Sequence, residues 1–357
     1  MPALEPLSPT YAHARAAFLA SAEAAGAALT SYEHPARGRE DEDLAIDVAE
    51  LGAPGAARCV VVVSATHGVE GYCGSALQRH WLDHHADERS DDTRVLLVHA
   101  FNPYGFSWVR RVNEDNIDLN RNFIDWSADA PANDEYAKVA DLLVPNDWST
   151  ATVEATTNEL LEHVGQWGMD QFQQIVSGGQ FAHPTGIFYG GAEPAWSHRW
   201  MRDWAPTALA GASEVVIVDL HTGLGPWGFG ELISSVPTTD PQYQRAVQLW
   251  GDDVRSMVDG DSVSAALAGD WLAITDELAS DAAVTAIAIE YGTVDLVEVL
   301  QALRADAVLH ASGDPTSSDA AEIRAMVRAA FADDDPEWIE ACWPRFHSVM
   351  TAALSAS

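Results

Sequence analysis

Apolar positions along this chain follow two rhythms. From Arg58 to Ala65 the run RCVVVVSA is unbroken and β-branched, as a strand reads when both its faces are covered. RVLLVHA at 94–100, EVVIVDLH from 214, GELISSV from 230 and VTAIAIEYG from 284 repeat it, and ALTSYEH and DLAIDVAEL add two shorter strands ahead of them. The second rhythm recurs every three to four residues and predicts helices over 9–29, 72–85, 134–143, 152–175, 195–209, 294–306, 318–331 and 336–354. Strands alternating with helices imply an α/β fold: a three-layer sandwich with a mixed, mostly parallel central sheet flanked by helices. No linker divides the chain, so residues 1–357 read as a single domain, with a helical insertion at about 124–213 and a helical tail from about 294. Sites in such sheets lie beyond the carboxyl ends of the strands, and His67, His221 and Glu290 all fall at such ends.

Composition narrows the function. With 47% hydrophobic residues over 357 positions the chain can bury a large core. No apolar run reaches the length of a membrane span, and the N-terminal segment lacks the basic start and compact apolar block of a secretion signal, so a cytoplasmic location is expected. Acidic residues number 54 against 19 basic ones, the formal net charge is −35, and Lys138 is the only lysine. Nucleic acid and anionic membrane surfaces are therefore not expected partners. Acidity with scarce lysine fits either a salt-rich cytoplasm or a genome that favours arginine and alanine. Cys59, Cys73 and Cys342 are too few and too widely spaced for a disulfide framework or a thiolate metal site, and read as small buried apolar groups. Oligomeric state is not legible.

Three short stretches carry chemistry: His67-Gly68-Val69-Glu70, Asp219-Leu220-His221 and Ile289-Glu290-Tyr291. A tight turn after a strand lets His67 and Glu70 aim at one ion, and His221 completes a set of two imidazoles and one carboxylate, leaving a fourth zinc position for water. Asp219, two residues before His221 on a strand, shares its face and can accept a bond from it. Glu290 closes an apolar strand, a costly place for a carboxylate unless it is paired or functional, and is free to act as a base. The glycine-rich stretch GGQFAHPTGIFYGG, with Gln180, His183 and Tyr189, reads as a loop lining the site. The remaining histidines, including His80, His84, His85 and His347, read as surface or internally satisfied groups.

A fourth stretch adds Asn102-Pro103-Tyr104-Gly105-Phe106, then Arg110-Arg111, then Asp118-Leu119-Asn120-Arg121-Asn122-Phe123. Taken in order over residues 58–292, these motifs resemble the zinc carboxypeptidase superfamily, and HGVEG, RRVNEDNIDLNRNF and DLHTGLG are similar to a bacterial branch of it. The resemblance implies one zinc ion on His67, Glu70 and His221, with Glu290 as general base. It further implies that Asn120 and Arg121 hold a substrate's terminal carboxylate, and that Arg111, or Arg110 in its place, stabilises the oxyanion. Ion pairing with Glu114, Asp115 or Asp118 is the competing role for these arginines.

The function that follows is zinc-dependent hydrolysis of an amide or peptide bond next to a terminal carboxylate, on small peptide-like substrates because the insertion narrows the cleft. Two alternatives stand beside it. One is an N-acyl amino acid amidohydrolase of the aspartoacylase or succinylglutamate desuccinylase kind, and the other a zinc-stabilised binding protein without turnover. The chain departs from the superfamily in one respect: no tyrosine lies between residues 244 and 289, leaving Tyr189, Tyr243 and Tyr291 as imperfect substitutes.

Overall fold

The structure, a computed structural model, describes residues 4–318 and 320–355. Eight strands form one sheet: β1 Ala28–Arg37, β2 Asp43–Leu51, β3 Arg58–Ser64, β4 Thr93–His99, β5 Glu214–Trp227, β6 Gly230–Ser234, β7 Val254–Ser256 and β8 Ala283–Gly292. Their order is β1-β2-β4-β3-β5-β8-β6-β7. The centre, β4-β3-β5-β8, is parallel, β2 and β6 join it antiparallel on either side, β1 pairs antiparallel with β2 at one edge, and β7 runs parallel to β6 at the other.

The helices are α1 Tyr11–Ala24, α2 Gly71–His84, α3 Pro103–Trp108, α4 Ala140–Leu143, α5 Thr150–Trp167, α6 Met169–Ser177, α7 Trp196–Ala208, α8 Pro241–Trp250, α9 Thr275–Leu278, α10 Leu296–Ser312, α11 Ala320–Phe331 and α12 Pro336–Ser355. The helix expected over 318–331 begins at Ala320, and residue 319 lies outside the described residues. The single helix expected over 152–175 is two, because Gly168 takes a positive φ of 82° between α5 and α6. Much of 134–143 is a tight 3₁₀ turn rather than an α-helix. Helices α3 and α8, each with a proline in its first turn and a side-chain cap from Asn102 or Asp240, were not expected from periodicity.

Strand alternation divides the core into two layers. Val60 and Val62 of β3 pack with Val216 and Val218 of β5 under α2 and α12, while Cys59, Val61 and Val63 face Val215, Ile217 and helix α7 on the other side. Both faces of the central strands are thus covered, as their unbroken apolar runs require. A third cluster, from α3 to α6, α10 and α11, stands beside the carboxyl ends of these strands and includes the insertion and the start of the tail. No described helix is long and apolar enough to cross a membrane.

Candidate active site

Strand register brings the site together. His221 and Glu290 are register partners on adjacent parallel strands β5 and β8, and Asp219 pairs with Ala288 one step earlier on the same face. His67 arrives from the turn that leaves β3, where residues 68–70 form one 3₁₀ turn before α2. The NPYGF stretch holds that turn. Asn102 caps α3 by accepting from Gly105 N (2.9 Å) and donates to the Arg111 carbonyl (3.3 Å), while Gly68 N and Val69 N donate to the carbonyls of Arg111 and Arg110. A Cβ on Gly68 would lie 2.0 Å from the Gly105 carbonyl carbon, so only glycine permits this approach.

The protonation of the two imidazoles follows from their partners. His67 Nε2 lies 3.1 Å from Asp118 Oδ1, and His221 Nε2 lies 2.7 Å from Asp219 Oδ2. Asp219 also accepts from Thr66 Oγ1 (2.8 Å) and Trp271 Nε1 (2.7 Å), and Asp118 from Asn120 N (3.0 Å) and Arg111 Nε (3.0 Å), so both carboxylates act as acceptors. Each Nε2 therefore carries the proton, and each Nδ1 presents a lone pair. Those two Nδ1 atoms stand 3.2 Å apart, and Glu70 oxygens lie 2.9 Å from one and 3.0 Å from the other. Three electron-rich donors converging in a buried space repel one another unless a proton or a cation lies between them. Nitrogen, nitrogen and carboxylate form a donor set that fits zinc.

The charges around the donors shift in accord with this. Burial opposes ionisation of Asp118, but the guanidinium groups of Arg111 and Arg121 outweigh it and hold that carboxyl well below the usual range. Burial also opposes charge on His221, yet Asp219 and Glu70 raise its basicity well above an ordinary imidazole, so without a cation the cluster captures a proton. Glu290 moves the other way: burial and the nearby Glu70 charge push its pKa up to about 7, against His221, the Leu224 N–H and Arg111. The Leu224 N–H donates to Glu290 Oε1 at 2.9 Å.

The other expected site residues divide. Arg111 reaches the centre, with Nη1 3.1 Å from Glu70 Oε1 and Nε 3.0 Å from Asp118 Oδ2. Arg110 does not, because its guanidinium is bound to Asp306 (2.9 Å) and Asn116 (2.9 Å) away from the cleft. Asn120 and Arg121 both line the cleft; the Asn120 side-chain oxygen is buried without a partner, and Arg121 donates to the carbonyls of Ser177 and Asn120. Gln180 is not at the cleft: it organises its own loop, donating to the His183 carbonyl and accepting from the N–H groups of Ala182 and His183. The Tyr189 side chain packs in the core under α7, while its carbonyl accepts from Asp118 N (2.9 Å). Tyr291 points to the opposite sheet face from Glu290, and Tyr243 donates to the Val254 carbonyl (3.0 Å). No tyrosine among the described residues lines the cleft.

Sequence reasoning missed several contributors. Asp118 orients His67 as Asp219 orients His221, a symmetry visible only once both are folded. Phe188, at a positive φ of 55°, lays its ring 5.4 Å from the Arg111 guanidinium and 5.2 Å from that of Arg121, so the glycine-rich loop meets the cleft through Phe188. Asp270 lines the cleft, capping the turn at Leu272 N (3.1 Å) and accepting from Ser235, and burial raises its pKa.

Three donors that could hold a metal ion thus converge at the strand ends of a mixed, helix-covered sheet. The chain belongs to the family described as "Protein of unknown function (DUF2817)", which matches residues 7–345. Among solved structures it is similar to carboxypeptidase A from Helicoverpa armigera, at 13% identity and a TM-score of 0.49, covering 91% of this chain and 74% of that one. It is also similar to a succinylglutamate desuccinylase from Silicibacter sp. TM1040, at 14% identity and a TM-score of 0.40, covering 80% and 67% respectively. An aspartoacylase family protein from Mesorhizobium loti is a third, at 13% identity and a TM-score of 0.37, covering 86% and 68%. No curated protein matches the chain in sequence.

Proposed function

We propose that this protein is a zinc-dependent hydrolase of an amide or peptide bond adjacent to a terminal carboxylate. The observation that carries the reading is the convergence of the His67, Glu70 and His221 lone pairs with Glu290 in the neighbouring strand position, all in or directly beneath one cleft. His67, Glu70 and His221 would hold the zinc ion, which would supply an acidified water and polarise the scissile carbonyl. Glu290, poised near neutral pH, takes the proton from water and delivers it to the departing nitrogen. The carbonyl carbon gains a C–O bond, the C–N bond breaks, and an acid and an amine leave.

Arg111 supplies fixed positive charge beside the developing oxyanion, and Asp118 holds that guanidinium in place. Arg121 and Asn120 are the group for the substrate carboxylate, since a guanidinium fork and an amide both bind oxygen anions. A base, a fixed cation and an acceptor for a carboxylate exceed what a metal needs merely to be held, which favours catalysis over binding alone. The test is a panel of dipeptides and N-acyl amino acids with the zinc-loaded protein. Glu290→Gln is expected to keep full zinc occupancy and lose roughly 10²-fold or more in turnover, as removal of a general base does. Unchanged turnover in that variant refutes the assignment of Glu290, and zinc binding without turnover of any amide refutes the hydrolase.

A further inference from the structure

The cleft that holds the donors is much longer than they need. Its lining runs from His67, His221 and Glu290 outwards to α5, α6 and α10. Its outer wall is built by α5, α6 and α10, which pack on one another through Leu160, Phe172, Val176 and Val299 and leave neighbouring apolar side chains exposed along the cleft. On α5 the residues Thr157, Leu160, Leu161 and Val164 line the cleft, spaced as one helix face, and Leu160 is the only fully buried residue of that 18-residue helix. On α6 the lining positions Met169, Phe172 and Val176 repeat this spacing, and the start of α10 faces them with Leu296, Val297 and Leu300.

Ten large apolar side chains are exposed among the described residues, and four of them, Leu161 (57%), Met169 (49%), Leu296 (41%) and Val297 (58%), stand in this one wall. Apolar surface gathered at one place marks a binding surface. The wall also lacks charge for a ligand to use. Of the acidic side chains among the described residues only Asp270 and Glu290 line the cleft, and both belong to the inner end near the donors and Arg121. Arg304, the single cation of the outer wall, spends its guanidinium on the carbonyls of Leu142 and Leu143 and on Thr156, Thr157 and Gln301.

We infer that the outer cleft binds a linear apolar acyl group, so that the substrate is an N-acyl amino acid with a medium-length aliphatic chain on the carbonyl side of the bond; this rests on the hydrolase reading above. The occupant is part of the substrate because the wall and His67, His221 and Glu290 line one cavity. The face from Thr157 to Val164 is roughly 10 Å long at 1.5 Å per residue, which suits a chain of several methylenes. Water adds to the amide carbonyl, the C–N bond breaks, the fatty acid leaves from the groove and the amino acid keeps its carboxylate near Arg121.

The experiment compares kcat/KM of the zinc-loaded protein on acetyl, hexanoyl and decanoyl derivatives of one amino acid, with isothermal titration of decanoate as a measurement independent of turnover. Each methylene that enters the groove is expected to raise kcat/KM about fourfold, the ratio for burying one CH₂, and Leu161→Asp and Met169→Asp are expected to flatten that rise and weaken decanoate binding. Hydrolysis that ignores chain length overturns the inference and leaves the hydrolase standing. Decanoate binding sensitive to Leu161→Asp, without hydrolysis of any amide, sinks the hydrolase but keeps the apolar groove. Concentration-dependent dimerisation that Leu161→Asp abolishes, with no decanoate bound, assigns the wall to a second copy of the chain and overturns the inference.

Discussion

At the scale of single residues, the site depends on two carboxylates outside the set of three candidate donors. Asp118 and Asp219 accept hydrogen bonds from the Nε2–H groups of His67 and His221 and so point both Nδ1 lone pairs inward. Asp118→Asn and Asp219→Asn can present an amide N–H to the imidazole and select the wrong tautomer. Each is expected to weaken zinc binding by roughly 10- to 100-fold, read by competition with a chromogenic chelator; unaltered affinity in both would show that the tautomer is set elsewhere. A different group of histidines is kept neutral by burial: His80, His99, His198 and His310 all have pKa values lowered to about 4. The folded value lies below the unfolded one, so their contribution to stability is complete above about pH 6.5 and is lost as pH falls towards 4. His198, stacked on Phe123 at 4.1 Å, tests this: the slope of urea midpoint against pH between 6.5 and 4 is expected to be shallower in His198→Gln than in the parent. An identical slope contradicts it.

Among the elements, the turn between β3 and α2 is the least tolerant. Gly68→Ala drives a methyl into the Gly105 backbone, and the strain moves His67 and Glu70 away from His221. A loss of about 1–3 kcal/mol in unfolding free energy together with lost zinc affinity is expected, measured by urea denaturation with and without metal; a variant as stable and as well loaded as the parent would show that the helix α3 backbone yields. Zinc held by His67, Glu70 and His221 would tie the turn after β3 to β5, so chelation is expected to lower the unfolding free energy by about 4 kcal/mol for an ion present at a thousandfold excess over its Kd. Scanning calorimetry with and without chelator reads that difference directly. The elements also show what periodicity carries. Strands β3, β5 and β8 were legible because each is a continuous apolar run, and the two-residue period placed Asp219 with His221 on one face. The break at Gly168 was not legible, since the apolar spacing of α5 resumes in α6 and only the backbone conformation of one glycine separates them.

For the whole molecule the governing quantity is a net charge of −35 around a cleft whose lining includes Arg111, Arg121 and Arg304. An anionic substrate approaches against the field of the whole surface and is attracted only at short range. Raising ionic strength from about 0.01 M to 1 M shortens the screening length from roughly 30 Å to 3 Å, so KM for a carboxylate substrate is expected to fall with salt while kcat changes little. A KM that rises steadily with salt would show that local attraction by the arginines dominates. Tertiary structure also gathers groups the chain holds far apart: His347, on α12, reaches Glu88 at 3.2 Å, which in turn meets His85 at 2.6 Å, joining two histidines that are 262 positions apart in the sequence.

The sequence by itself determined the layered α/β architecture and pointed to His67, Glu70, His221 and Glu290 as candidates, because burial period and strand-end position are local properties of the chain. Tertiary structure alone decided which of two adjacent arginines faces the centre, since Arg110 is drawn off by Asp306, 196 residues later. It also decided that the glycine-rich loop meets the cleft through Phe188 rather than Tyr189 or Gln180, and that α5, α6 and α10 line the cleft as well as packing on one another. Those outcomes depend on which partners arrive from distant segments, and no local pattern encodes them.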